Sequence, residues 1–317
     1  GGLKPNISTM VGGLYNNNDD RRDIGFKIFY MGINIGAFFS ALIIGGIGEV
    51  YGWHYGFGLA GIGMLLGQLV FMWGQKYLKG VGEFIGTKDN PDKDLMDKPL
   101  TKIEKDRVLV LLLSFLIVIV FWGAFEQAGG LMNIYAFEKT NRLIDSINFE
   151  VPATWFQSLN AGFIVLFAVA VGKFWSWWKS LGKESALLFQ MAIGVIIMAI
   201  GFFFMSAASL EFQENGSSAM YWLVLAYLFH TLGELCTSPT AMALITKLAP
   251  LKYASIMMGT YFACTGFGNK LAAYLGEWAQ TAGEFQIFTG IAVFCSVFGF
   301  LVVLLLKPLK RLTHGAD

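Results

Sequence analysis

The sequence predicts an all-α polytopic membrane protein, and three observations carry that prediction. Of its 317 residues 55% are hydrophobic, and the mean hydropathy is +0.57. Charged residues make up only 14%, where soluble domains carry roughly 25%, so a surface facing water could not be solvated. Apolar runs recur at the length of about 20 residues that a bilayer-spanning helix needs. Other classes fall away on the same reading. The net charge of +1 comes with no basic stripe that would suit nucleic acid. Cys236, Cys264 and Cys295 all lie within apolar runs, with no CxxC spacing, and read as small core residues rather than disulfide or metal ligands. No HExxH, GxSxG or P-loop occurs, so nothing argues for an enzyme or a bound cofactor.

Apolar runs bounded by charge give a partial first segment over about residues 1–15. Eight full spans follow at about 26–48, 53–74, 108–136, 153–178, 185–207, 219–247, 253–275 and 285–306. The charged stretch "GTKDNPDKDLMDKPLTKIEKDR" at 86–107 separates the second full span from the third and marks the one plausible domain boundary. The expected organisation is therefore 1–74, a linker over 75–107, and a six-span block over 108–317.

Lys and Arg sort strongly between alternate loops. Nineteen fall on the side of Arg21, Lys76, Lys105, Lys183, Lys247 and Lys310; only Lys139, Arg142 and Lys270 fall on the other. The positive-inside rule makes the heavy side cytoplasmic and puts the C-terminus inside. The tryptophans of "KFWSWWKS" at 173–180 close a span on that side and read as an interfacial belt.

Three ionisable residues lie inside spans: Lys4 in the partial segment, Glu126 in "FWGAFEQAGG" and Glu234 in "HTLGELCTSP". Each costs about 2.5–3.5 kcal/mol at a span centre, which makes it a functional candidate. Low dielectric favours the protonated form of a carboxyl and a nearby cation favours the ionised form, so such a set suits proton coupling. The competing reading is a set of structural ion pairs that hold the helices in register. His230, one turn before Glu234, could join a relay, although a hydrogen-bonded packing role is the simpler account. "GFGLAG" at 56–61 fits GxGxxG, but no strand precedes it, and small residues for close helix contact explain it better.

Five motifs in order give the sequence a family resemblance. "LKPNIS" (Leu3 to Ser8), "RRDIGFKIFYMGINIG" (Arg21 to Gly36), "FWGAFEQ" (Phe121 to Gln127), "WFQSLN" (Trp155 to Asn160) and "GELCTSP" (Gly233 to Pro239) span nearly the whole chain. They resemble helices four, five, seven, eight and ten of the proton-coupled oligopeptide transporter family, within the major facilitator superfamily. The resemblance implies a C-terminal six-helix bundle plus part of an N-terminal bundle. It also implies proton-driven symport of di- and tripeptides by alternating access across a bacterial inner membrane, with the proton as coupling ion.

Residue roles follow from the resemblance. Lys4 matches a lysine that holds the peptide carboxylate and takes part in proton coupling. Asn34 and Asn160 match asparagines that contact the peptide. Glu126 matches a glutamate linked to protonation and gating. Glu234 matches the one that receives the peptide's amino terminus, with Ser238 one turn below, and also joins the proton-coupling set. Trp122 and Tyr261 match aromatic pocket positions. A zwitterionic peptide offers a carboxylate, an ammonium and an amide backbone, and this set complements all three.

The departures shape the expectation as well. Nothing corresponds to the ExxER motif of the family's first helix, and helices one to three have no counterpart. The chain therefore reads as lacking those helices and part of the fourth, partners that the complete transporter would supply, and is not expected to transport alone. "NAGFIVLFAVAV" lacks the prolines of many eighth helices, which implies a straighter helix. The linker is too short for the extra helix pair of many bacterial members. Two alternatives stand beside the peptide reading: transport of another small solute such as nitrate, an amino acid or a peptide-like drug, or a non-transporting peptide-binding membrane subunit.

Overall fold

The computed structural model describes residues 7, 10–11, 14, 21–78, 99–250 and 253–316. The chain divides into two compact units, Gly1–Asp94 and Leu95–Asp317. Lys4 and most of the stretch expected as a linker lie outside the described residues.

In the first unit α1 (Arg21–Phe39) runs into a π-helical turn, Ser40–Gly45, and then α2 (Gly46–Tyr51). Gly52 reverses the chain at φ 115°, a backbone angle open to glycine but not to residues with a Cβ. From there α3 (Trp53–Gly74) returns. Gly56 meets Gly48 across this corner, and a Cβ on Gly56 would stand 2.9 Å from the Ile44 carbonyl oxygen. The GFGLAG stretch thus supplies one close helix contact, although Gly58 and Gly61 meet no described atom within 4 Å.

The second unit opens with α4 (Lys102–Phe125). Thr101 and Glu104 cap it reciprocally, side chain to backbone in both directions, so the helix starts inside the charged stretch at 86–107. The pair Gly129–Gly130 interrupts it. A 3-10 turn, Glu126–Ala128, precedes the interruption and α5 (Leu131–Lys139) follows. Two-residue strands β1 (Thr140–Asn141), β2 (Leu143–Ile144) and β3 (Phe149–Glu150) then lead to α6 (Trp155–Ser180), which is unbroken along its length. After α7 (Leu187–Asn215) comes β4 (Ser218–Ala219), paired in parallel with β1, and then α8 (Met220–Leu248). The unit ends with α9 (Ala254–Ala282), α10 (Glu284–Leu304) and a short amphipathic helix, α11 (Leu306–Thr313).

The bundle core lies where α7 packs against α8 and α10, with α9 against α4 and α6 against α8. Close approach depends on glycine. A Cβ on Gly194 would stand 2.7 Å from the Gly233 carbonyl oxygen, and one on Gly233 would stand 2.6 Å from that of Gly194. The outward faces stay apolar: Leu166 is 68% exposed, Val169 67% and Leu304 65%. Hydrocarbon rather than water is the solvent for such a surface.

Six described helical segments are long and apolar enough to cross a membrane. Two of the eight expected spans are absent from that set, at 219–247 and 253–275. Both exist as 29-residue helices, α8 and α9. The mean hydropathy of α8 is lowered by polar residues it brings to the interior, among them His230, Thr231, Glu234 and Thr237, and that of α9 by exposed ones such as Asn269, Lys270 and Glu277. Pro239 lies inside α8 as well, and its missing N–H leaves the Leu235 carbonyl without a helical donor.

Candidate substrate site

Glu234 sits at the middle of α8, half-buried, with its side chain turned towards α6. The Asn160 amide nitrogen donates to the Glu234 carboxylate at 2.8 Å and approaches the Thr231 hydroxyl at 3.1 Å. The Thr231 hydroxyl in turn donates to the Tyr227 carbonyl of its own helix at 2.7 Å. This chain of donors fixes the amide, so its oxygen is left to face whatever enters beside Glu234.

Three further expected residues join this cluster. Tyr261, on α9 and 3% exposed, has its hydroxyl beside the side chains of Ser238 and Trp122, and Glu234 is near enough to act on it electrostatically. The structure thus brings Asn160, Glu234, Ser238, Tyr261 and Trp122 together from four helices. An acidic group, an amide, two hydroxyls and an indole offer acceptors and donors in one place, the mixture a small zwitterion needs. Thr231 is a member that the sequence reading did not single out. It stands three residues before Glu234, on the same helical face, which is the signal that could have found it.

Glu126 is held apart from this cluster. It is half-buried at the 3-10 turn and lines a cavity of about 680 Å³ together with Gln127, Glu138, Asn269, Gln280 and Glu284. Neither Asn160 nor Glu234 is among the residues around that cavity. The turn itself is pinned from both sides: Gln127 donates to the Ala272 carbonyl at 3.0 Å, and the Tyr227 hydroxyl donates to the Ala128 carbonyl at 3.0 Å. Broken helix ends leave carbonyls unpaired, and these side chains satisfy one of them here. At the mouth of the same region Lys139 pairs with Glu284 at 2.6 Å, tying the end of α5 to the start of α10.

Asn34 belongs to the first unit, where its side chain is 7% exposed and donates to the Tyr30 carbonyl of its own helix at 2.9 Å. Lys4 lies outside the described residues. His230 departs from the expectation of a hydrogen-bonded packing residue. It is buried with its ring 4.4 Å from that of Phe202, and neither ring nitrogen has a hydrogen-bond partner among the described residues. Among those residues no group of three His, Cys, Asp or Glu side chains is placed to hold a metal ion.

Known proteins resemble the chain along almost all of its length. The sequence matches the POT family over residues 1–93 and 93–288. The peptide transporter YePEPT of Yersinia enterocolitica is 31% identical, with 99% of this chain and 73% of that protein aligned. The uncharacterized transporter YclF of Bacillus subtilis is also 31% identical, over 99% of this chain and 72% of that one. Among solved structures, the peptide transporter POT in complex with sulfate superposes with a TM-score of 0.87 at 29% identity, covering 98% of this chain and 73% of that chain. A mutant form of peptide transporter POT in complex with alafosfalin gives a TM-score of 0.87 at 29% identity, covering 99% and 73%.

Proposed function

The chain belongs to the POT family, and from that premise we propose that it serves proton-driven symport of di- and tripeptides by alternating access. The observation that carries the substrate reading is the Asn160–Glu234 pair, with Thr231 behind it and the Tyr261–Ser238–Trp122 group beside it. Glu234 receives the peptide's ammonium group. The exposed acceptor of Asn160 and the hydroxyls of Ser238 and Tyr261 take the amide backbone. Because none of these contacts reads a side chain, specificity is broad within short peptides. Relatives support the assignment: a transporter of Lactococcus lactis named for di- and tripeptides is 25% identical over 98% of this chain.

Proton coupling is assigned to Glu126, Glu234 and Lys4. Glu126 is the group on a cavity of its own, with other carboxylates around it, so its proton can exchange without passing through the peptide contacts. Lys4 and Asn34 keep the roles that the resemblance implies. The membrane is the bacterial inner membrane with the C-terminus on the cytoplasmic side, as the lysine and arginine bias indicates, and no chemistry is performed on the substrate.

A dipeptide with a free amino terminus and its N-acetyl counterpart test the reading. Direct binding to the purified protein should favour the free amine by more than about tenfold, since a hydrogen bond between charged groups contributes about 1.5–3 kcal/mol. Replacing Glu234 by Gln should abolish that preference. Equal affinity for the two peptides in the unaltered protein would sink the reading and favour a solute without an amino group.

A further inference from the structure

The ends of α6, α8 and α11 enclose a cavity of about 530 Å³ at the lysine-rich side of the bundle. Four lysines line it, Lys179, Lys183, Lys247 and Lys310, against a single carboxylate, Glu184. Glu184 is already engaged. Lys310 contacts both of its oxygens at 2.9 and 3.0 Å, and the Ala186 N–H donates to it at 2.9 Å where α7 begins. Lys183 rests over the Trp178 ring, 4.3 Å from its centroid. Lys179 and Lys247 form no ion pair among the described residues.

Three lysines besides Lys310 therefore line one concavity whose one carboxylate is already taken. An anion that enters meets several cations and no competing free carboxylate. The surroundings identify the kind of anion. Trp175 lines the cavity and Trp177 and Trp178 flank it, all on the last turns of α6. Indole belts sit at the headgroup level of a bilayer, where phosphodiesters lie. On the same side of the helix, fourteen residues and about 21 Å before Lys179, Val165 is 41% exposed and opens an apolar face. A free anion has no use for that apolar surface, whereas an acyl chain below a phosphate does.

We propose that this cavity is a binding site for an anionic phospholipid: Lys179, Lys183 and Lys247 hold the headgroup phosphate, and the tails lie along α6. The volume falls in the range of about 300–1,000 Å³ usual for small-ligand sites. Basic pockets between helices on the cytoplasmic side bind acidic lipid headgroups on the same physical grounds. An occupied site would join three elements, of which the Lys310–Glu184 pair links two, the α6–α7 turn and α11. The lipid is thereby a strut between the α6–α7 turn, the end of α8 and α11.

Native mass spectrometry of the purified chain, titrated with dioleoylphosphatidylglycerol or dioleoylphosphatidylcholine, tests this. Phosphatidylglycerol adducts should dominate. They should weaken more than about tenfold when Lys179, Lys183 and Lys247 are all replaced by Gln, since each lysine contributes roughly a fivefold factor. The Lys→Arg triple variant should retain them, and a control triple of equal charge change, Lys76→Gln, Lys102→Gln and Lys105→Gln, should leave them unchanged. Equal binding of the two lipids, or an equal loss in the control triple, overturns the site. Displacement of phosphatidylglycerol by millimolar inorganic phosphate would reassign it to a free anion and overturn the lipid. Should the Gln triple not fold, exposed Lys247 alone, changed to Gln, must still weaken binding several-fold, and no change there overturns the proposal as well.

Discussion

The Asn160 amide on α6 reaches across to the Glu234 carboxylate on α8 at 2.8 Å. This contact ties the two helices together at the carboxylate itself. Glu234→Gln keeps an acceptor oxygen for Asn160 but removes the charge. Thermal stability should change little, while dipeptide binding falls at least about tenfold. Asn160→Ala has a different signature: it strips a donor from a half-buried carboxylate, costing about 1–3 kcal/mol, and should lower both melting temperature and affinity. Differential scanning fluorimetry beside a peptide-binding titration separates the two.

Gly194 and Gly233 let α7 and α8 touch backbone to backbone. Gly194→Val places a side chain 2.7 Å or less from the Gly233 carbonyl oxygen and the Thr237 hydroxyl, and backbone cannot retreat as a flexible side chain would. A loss of about 1–3 kcal/mol is expected, seen as early loss of the monodisperse peak when heated samples are run by size exclusion. Gly58→Ala, with no described atom within 4 Å, should be neutral or slightly stabilising by comparison.

The Lys310–Glu184 pair carries a pH signature. Burial pushes the Glu184 carboxyl upward, but hydrogen bonds from Lys310 and the Ala186 N–H, with the charge of Lys310, outweigh it and hold the group below the ordinary carboxylate range. A depressed carboxylate stabilises the fold above its unfolded pKa of about 4.3, and that stabilisation is lost as pH falls through the lower folded value. The pair is substantially exposed, so the effect is small, a fraction of a kcal/mol. Melting curves of the unaltered protein and of Glu184→Gln should differ at pH 7 and converge below about pH 4. A constant offset down to pH 3 would contradict the assignment.

Cys236, Cys264 and Cys295 are 4%, 7% and 0% exposed and form no disulfide. A bulky maleimide should label none of them rapidly in the folded protein and all three after denaturation in dodecyl sulfate, as intact-mass measurement will read. Rapid native labelling of Cys295 would mean that α10 does not pack on α7 as described.

Much of this architecture can be read from the chain because hydrocarbon imposes a simple rule: a segment must be apolar and long enough, and its backbone must bond within itself. Six spans obey it. The rule is weakest where function intervenes, which is why α8 is less apolar than α7 while carrying Glu234 and Ser238. The chemistry of Asn160 and Glu234 was visible as residue types, yet their pairing needed the α6–α8 packing. The placement of Glu126 on a cavity that neither Asn160 nor Glu234 lines was not visible at all. It depends on the Gly129–Gly130 break and on Gln127 and Tyr227, side chains that look like ordinary core residues in sequence. His230 shows the same limit, since only three-dimensional packing reveals that Gly201 and Phe202 leave its nitrogens unpaired.

Pro239 gives α8 uneven stiffness. The missing bond at the Leu235 carbonyl is adjacent to Glu234, so a bending load yields there before anywhere else along the 29-residue rod. The near half, wedged against α7 at Gly233, acts as the mounting. The far half, which ends in Leu248, is held in the core by Leu244, Ile245 and Leu248. Glu234 therefore holds Asn160 beside the one turn of α8 whose backbone ladder is incomplete.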